Sequence, residues 1–223
     1  MQKSVIFDLD GTLADTSADL IAAANACFVR RGITPPLDPV ADALTAFRGG
    51  RAMLTLGFDR VSGGDAEAVE EEYPYLLEVY EQHIDRETGL YPGVEATLDA
   101  LAAEGWALGV CTNKPEGLAR LLLEKLGILG RFGALFGADT LPVRKPDPEH
   151  FFATMRALGS SPEVTMLIGD TITDTKTARA AGVPLVLVAF GPEGRGISRL
   201  EPDALLEHYD DLPKVAQSLI KTA

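Results

Sequence analysis

"SVIFDLDGTLADT", residues 4–16, carries an apolar run straight into paired negative charge. Val5, Ile6 and Phe7 read as a buried strand, with Leu9 just beyond them. Asp8 and Asp10 stand at and past its end, and Gly11-Thr12 follow at once. Taken alone, Asp-x-Asp-Gly is an ordinary Asx-rich turn. Whether it is more depends on what the rest of the chain brings to the same edge.

Further apolar runs that resemble fully buried strands lie at 107–111, 134–136, 165–168 and 185–189. Helical patterns separate most of them. Residues 116–126 place Leu118, Leu121, Leu122 and Leu126 at helical spacing, between Pro115 and the stop at Gly127. Residues 148–158 open with Asp147-Pro148, a capping and first-turn pair, and end before Gly159. Residues 171–181 end at Gly182. Short continuous strands alternating with helices specify an α/β fold, a parallel sheet with helices on both faces.

One interval breaks the alternation. Roughly a hundred residues separate the first two strands, far more than one crossover helix needs. Residues 94–104 can serve as that crossover, so 14–89 are surplus. They are helical in pattern: Leu20, Ile21, Ala24, Cys27 and Phe28 share a face, and Leu76, Leu77, Val79, Tyr80 and Ile84 predict a second helix after Pro74. The expected organisation is a core of residues 1–13 and 90–223, with 14–89 inserted as an all-helical domain after the first strand. Within that insertion, residues 65–87 hold nine acids against one arginine, which reads as a solvated face.

A net charge of −13 argues against a nucleic-acid or anionic-membrane partner, which would need clustered Lys and Arg. No apolar run approaches the roughly 18 residues of a membrane span, and "MQKSVIFD" shows no signal-peptide pattern, so a cytoplasmic protein is expected. Cys27 and Cys111 match no metal or redox spacing and are expected as buried free thiols. His83, His150 and His208 share no spacing and are expected at the surface.

In an open parallel sheet, ligands bind beyond the carboxyl ends of the strands. The polar residues at those ends are Asp8 and Asp10 after the first run, Thr112-Asn113 after the second, and "GDTITD" (169–174) after the fourth. "RKPDP" adds Arg144 and Lys145 before a helix. Carboxylates from separate segments repel unless a cation sits among them, and hard oxygen donors without His or Cys favour magnesium. Lys145 and the Thr112 hydroxyl suit phosphate oxygens. In such a site one carboxylate can attack phosphorus while a second moves the proton. The ligand expected is a small-molecule phosphate ester.

"DLDGTLADT", "VCTNK", Lys145 in "RKPDP" and "IGDTITD" are similar to the four motifs of the haloacid dehalogenase superfamily, in the same order and over essentially the whole chain. The resemblance implies a Rossmann-like core with the helical insertion as a cap. It implies Asp8 as nucleophile and Asp10 as general acid/base, with magnesium bound by Asp8, Asp170 and the Asp10 backbone carbonyl. Asp174 would support the metal's water shell or orient Lys145. Thr112 and the Asn113 backbone would hold phosphate, and Lys145 would bridge phosphate and Asp8. The second acid, Asp10, speaks against carbon–halogen cleavage. Phosphonate cleavage would need a cap lysine, and residues 14–89 contain none.

Among helical-cap members the chain is most similar to the phosphoglycolate phosphatases. The stretches that carry this are "LADTSADLIAAANACF", "FRGGRAML" and "LYPGVEATLDALAAEGWALGVCTNKPE". Hydrolysis of 2-phosphoglycolate through an aspartyl-phosphate is then the expected reaction. A sugar phosphomutase or another small phosphate-ester phosphatase of the same fold, and a non-catalytic phosphate-binding module, are the alternatives. In the cap, Gly49-Gly50 allow a tight loop, and Arg48 and Arg51 offer guanidinium forks suited to a substrate carboxylate, Arg51 in preference. The alternative for either arginine is a pairing with the cap's own acids.

Overall fold

A computed structural model of the chain describes residues 1–220. The chain divides into two compact units, Met1–Ala14 with Leu90–Ala223, and Asp15–Gly89. The strands in chain order are β1 (Ser4–Phe7), β2 (Ala14–Asp15), β3 (Gly89–Leu90), β4 (Ala107–Cys111), β5 (Ala134–Phe136), β6 (Thr165–Gly169), β7 (Leu185–Val188) and β8 (Ala204–Leu206). The helices are α1 (Ser17–Arg30), α2 (Ala43–Ala46), α3 (Gly50–Ser62), α4 (Ala66–Gln82), α5 (Val94–Ala103), α6 (Glu116–Lys125), α7 (Pro148–Ala157), α8 (Ile172–Ala181) and α9 (Leu212–Leu219).

The first unit is built on a six-stranded parallel sheet in the order β5-β4-β1-β6-β7-β8. β1 lies inside it, buried along its whole length, with Phe7 in register with Val110 on one side and Ile168 on the other. Ile6, Leu167, Phe151, Met155 and Ala178 belong to one core cluster, which joins the sheet to α7 and α8. Successive strand residues point to opposite faces, and Val5 and Phe7 are as buried as Ile6, so both faces are covered. The sequence pattern misses β8. Its three residues sit among acids, and it is a strand because its backbone pairs with β7, Val186 opposite Ala204.

The second unit is helical between its first and last residues. α4 starts at Ala66, where Asp65 accepts a hydrogen bond from the Ala68 N–H, and not after Pro74 as the sequence predicts. A proline inside a helix costs about 3 kcal/mol. Here the buried positions Ala68, Val69, Glu72, Leu76 and Tyr80 continue on both sides of Pro74, and packing against α1 and α3 carries the helix through it. The acidic run is not solvated throughout. Glu72 is buried, and its Oε1 accepts from Arg30 at 3.0 Å and Arg31 at 3.2 Å. Asp19, also buried, accepts from the Glu87 and Thr88 N–H groups and the Thr88 hydroxyl, tying the end of the unit to α1.

Both cysteines are buried and free. His150 is fully buried, which corrects the surface placement expected for the histidines. It shares the inner face of α7 with Phe151 and Thr154. Its Nε2 lies 2.9 Å from the Gly137 carbonyl, which can only accept, so that nitrogen carries the proton and Nδ1 faces the Cys111 thiol at 3.4 Å. Burial pushes the His150 pKa down, with the Gly137 carbonyl opposing. The unfolded chain therefore binds a proton near pH 6.5 that the folded chain refuses, and stability falls as pH drops below that value. His150→Gln is expected to flatten this part of a Tm-against-pH profile between pH 7 and 5. An unchanged slope would show that the imidazole does not contribute it.

Candidate active site

The sheet order reverses direction between β1 and β6, the switch point where open parallel sheets bind ligands. Asp8 follows β1 there, its N–H donating to the Ile168 carbonyl at 2.9 Å. Register thus sets Asp8 beside the end of β6, where Asp170 follows Gly169. One carboxylate oxygen each from Asp8, Asp170 and Asp174 lies within 4.8 Å of the others, and all three residues are buried.

Lys145 enters this group from the turn before α7. Its Nζ is 3.0 Å from Asp8 Oδ2 and 2.7 Å from Asp174 Oδ1. Asn113 Nδ2 donates to the Lys145 carbonyl at 3.0 Å, and Asp147 caps α7 by accepting from the Glu149 N–H. The intervening Lys145–Pro146 peptide is cis. Asp174 is held from its own helix: Thr171 and Asp174 form a capping box, and Asp174 Oδ2 accepts from the Thr171 hydroxyl at 2.7 Å and N–H at 3.1 Å. Gly169 makes this approach possible, since a Cβ there would lie 2.4 Å from Asp174 Cγ.

Three carboxylates against one ammonium leave the group electrostatically short of positive charge. Burial raises the Asp8 carboxyl to about 6, with Lys145 opposing and Asp174 adding to the rise. Asp170 is pushed well above the usual carboxylate range by burial and then by Asp174 and Asp8. Burial disfavours the Lys145 charge, but Asp174 and Asp8 outweigh it and hold the ammonium above the ordinary lysine range. An all-oxygen donor set with excess negative charge fits a hard divalent cation. Asp8, Asp170 and Asp174 are the side chains that could hold it, and Asp174 is also bound on both oxygens, by Lys145 and by the capping box.

Thr112 and Asn113 follow β4, and Asp10 follows β1. Thr112 is buried at the end of β4, its N–H donating to the Phe136 carbonyl. The Asp10 side chain is not part of the carboxylate cluster, and its Oδ1 accepts from Lys114 Nζ at 2.7 Å. Lys114 went unread in the sequence. Nothing local separates a lysine just past a strand from a solvated one, and its only signal was its place in "VCTNK". Two further contacts were also unread: the Thr12 hydroxyl donates to Asp170 Oδ1 at 3.1 Å, and the buried Tyr209 hydroxyl donates to the Thr12 carbonyl at 2.7 Å.

Arg48, Gly49, Gly50 and Arg51 lie in the second unit, where Gly49 precedes α3 with φ +96°. Arg51 grips Glu70 with both arms of its fork, at 2.7 and 2.9 Å, and stacks 3.7 Å from the Tyr73 ring centre. It adopts the pairing with an acid of its own unit that the sequence left open. Arg48 is exposed and makes no ion pair among the described residues.

Residues 5–188 match the family model of the haloacid dehalogenase-like hydrolases. The chain is 35% identical to a phosphoglycolate phosphatase of Mesorhizobium japonicum, with 98% of this chain and 97% of that one covered. It is 37% identical to one of Caulobacter vibrioides, covering 97% and 92%. A crystal structure from Haemophilus somnus, described as a predicted phosphoglycolate phosphatase, is similar with a TM-score of 0.85 at 25% identity, covering 97% of this chain and 98% of that one. The family match opens in β1, the strand that delivers Asp8, and closes at the end of β7, spanning every strand end that bears a site residue. The chain belongs to the haloacid dehalogenase-like hydrolase family.

Proposed function

We propose that this protein is a magnesium-dependent phosphomonoester hydrolase that works through an aspartyl-phosphate on Asp8. The observation that carries this reading is the buried convergence of Asp8, Asp170, Asp174 and Lys145 at the switch point of the sheet. Magnesium, held by Asp8, Asp170 and the Asp10 backbone carbonyl, would supply the charge that lets a carboxylate approach a phosphate dianion. Asp8 attacks phosphorus, and the bond from phosphorus to the ester oxygen breaks as Asp10 protonates the leaving alcohol. Asp10 then takes a proton from water, whose oxygen attacks the acyl phosphate. The bond from phosphorus to Asp8 breaks, inorganic phosphate leaves, and both carboxylates return to their starting state. Thr112 and the Asn113 backbone hold the phosphoryl oxygens, and Lys145 bridges the phosphoryl group and Asp8.

The substrate proposed is 2-phosphoglycolate, on the strength of the name shared by the two curated relatives above. The helical unit would act as a cap that selects the substrate's carboxylate. Arg48 is the fork proposed for it, because Glu70 engages Arg51. A phosphate-release screen over small phosphate esters with magnesium tests the reading. Release from 2-phosphoglycolate well above that from sugar phosphates, abolished by a chelator, is expected. Equal release with and without chelator would overturn the metal, and a sugar phosphate as the preferred ester would overturn the substrate.

A further inference from the structure

Asp8 and Asp10 each face a buried ammonium. Asp8 shares Lys145 with Asp174, while Lys114 Nζ, its side chain 3% exposed, pairs with Asp10 Oδ1 at 2.7 Å. Burying a charge costs several kcal/mol even when it is paired, and an apolar side chain of similar size fills such a place as well or better. An ion pair kept at this position therefore calls for a role other than stability.

The root of Lys114 is fixed on both sides. Its N–H donates to Thr112 Oγ1 at 3.2 Å, and its carbonyl accepts from the Ala138 N–H at 2.9 Å. The loop after β5 clasps it: Asp139 caps the Glu116 N–H at 2.7 Å, and Thr140 donates to Glu116 Oε2 at 2.7 Å. Gly137 permits that clasp, since a Cβ there would lie 2.8 Å from the Lys114 carbonyl and 2.3 Å from the Glu116 nitrogen. A lysine side chain ordinarily sweeps a wide volume. This one is rooted in a clamped loop and delivered from β4 across to the turn after β1.

We infer that Lys114 is a positioning residue for Asp10: it grips one carboxylate oxygen, keeps the side chain out of the Asp8–Asp170–Asp174 cluster, and sets the rotamer from which Asp10 reaches the leaving oxygen and the attacking water. This rests on the reading of Asp10 as general acid/base. A mispointed acid loses proton transfer while substrate binding survives, so the signature lies in kcat and in the leaving group.

The test is a double-mutant cycle of Lys114→Met and Asp10→Asn in the magnesium-loaded enzyme, with 2-phosphoglycolate and p-nitrophenyl phosphate as substrates. General acid–base catalysis contributes about 10²–10⁴-fold. Lys114→Met is expected to lower kcat on 2-phosphoglycolate roughly 30-fold or more, with KM within about twofold. On p-nitrophenyl phosphate, whose leaving group needs little protonation, the loss is expected to be clearly smaller. In the Asp10→Asn background, Lys114→Met is expected to add less than about a twofold loss. Lys114→Gln, which keeps a donor for Asp10, is expected to recover part of the loss and carries the same cycle should the Met variant fail to fold. A raised KM with unchanged kcat would make Lys114 a substrate ligand and overturn the inference. So would an equal loss in both backgrounds. Full activity in Asp10→Asn alone would overturn the acid/base reading of Asp10 and the role of Lys114 with it, whereas a dead Asp10→Asn with an additive Lys114→Met would overturn the role of Lys114 alone.

Discussion

Asp8→Asn is expected to abolish phosphate release, by at least about 10⁴-fold, while leaving a folded protein. An amide cannot attack phosphorus and form the covalent intermediate. The neighbouring carboxylates keep the partners they have in the wild type: Asp174 is engaged by Lys145 and Thr171, Asp170 by Thr12, and Asp10 by Lys114. Folding should survive for equally specific reasons. Asparagine keeps an oxygen to accept the Leu9 N–H, which Asp8 Oδ1 now accepts at 2.7 Å, and Lys145 retains Asp174. One of three crowded carboxylates also disappears, so the metal-free variant should melt no lower than the metal-free wild type. Single-turnover phosphate release and circular-dichroism melts measure the two halves. Residual turnover within tenfold of wild type would sink the nucleophile assignment, and a collapsed Tm would sink the account of what holds the turn.

Lys145→Met is expected to lose both activity and stability, unlike Asp8→Asn. The Lys145 side chain is 1% exposed and is hydrogen-bonded to Asp174, whose side chain is 0% exposed. Removing one partner of a buried pair costs about 3–5 kcal/mol, because the other is left as an uncompensated charge. In a chain of this size that corresponds to a Tm lower by roughly 10 °C or more. Activity should fall about 10³-fold, as the phosphoryl group loses a charge and Asp8 loses its orientation. Lys145→Arg should not rescue it, since a planar fork does not fit where one ammonium reaches both Asp8 and Asp174. Added magnesium should raise the Tm of Lys145→Met more than that of wild type, because a cation then supplies part of the missing positive charge. Equal melting of variant and wild type in chelator would show that the pair carries no stability.

These effects concentrate in a few residues because the fold brings charges together that the chain keeps far apart. Asp8 and Asp170 meet through the pairing of β1 with β6, and Lys145 reaches them from a turn that Asn113 anchors. The stability of the sheet and the chemistry of its edge are thus linked. A substitution that shifts the β1–β6 register by one residue would move Asp8 away from Asp170 and send the β1 side chains to the wrong faces.

By itself, the sequence determined the periodic and punctuated parts of this protein. Continuous apolar runs fixed five strands of the main sheet, because a strand covered on both faces must be apolar at every position. Glycine and proline stops bounded α5, α6, α7 and α8 to within a residue or two. The strand-end polar residues were legible as candidates because open parallel sheets bind ligands beyond the carboxyl ends of their strands. The tertiary structure decided what depends on a partner distant in the chain. β8 is a strand only beside β7, α4 crosses Pro74 only because its face packs on α1 and α3, and His150 is buried only where Gly137 and Cys111 receive it. Arg51 turned to Glu70 and Lys114 to Asp10 for the same reason. A charged side chain shows its residue type in the sequence, but the direction in which it pairs is an energy difference between solvent and one particular neighbour. That neighbour exists only once the chain has folded.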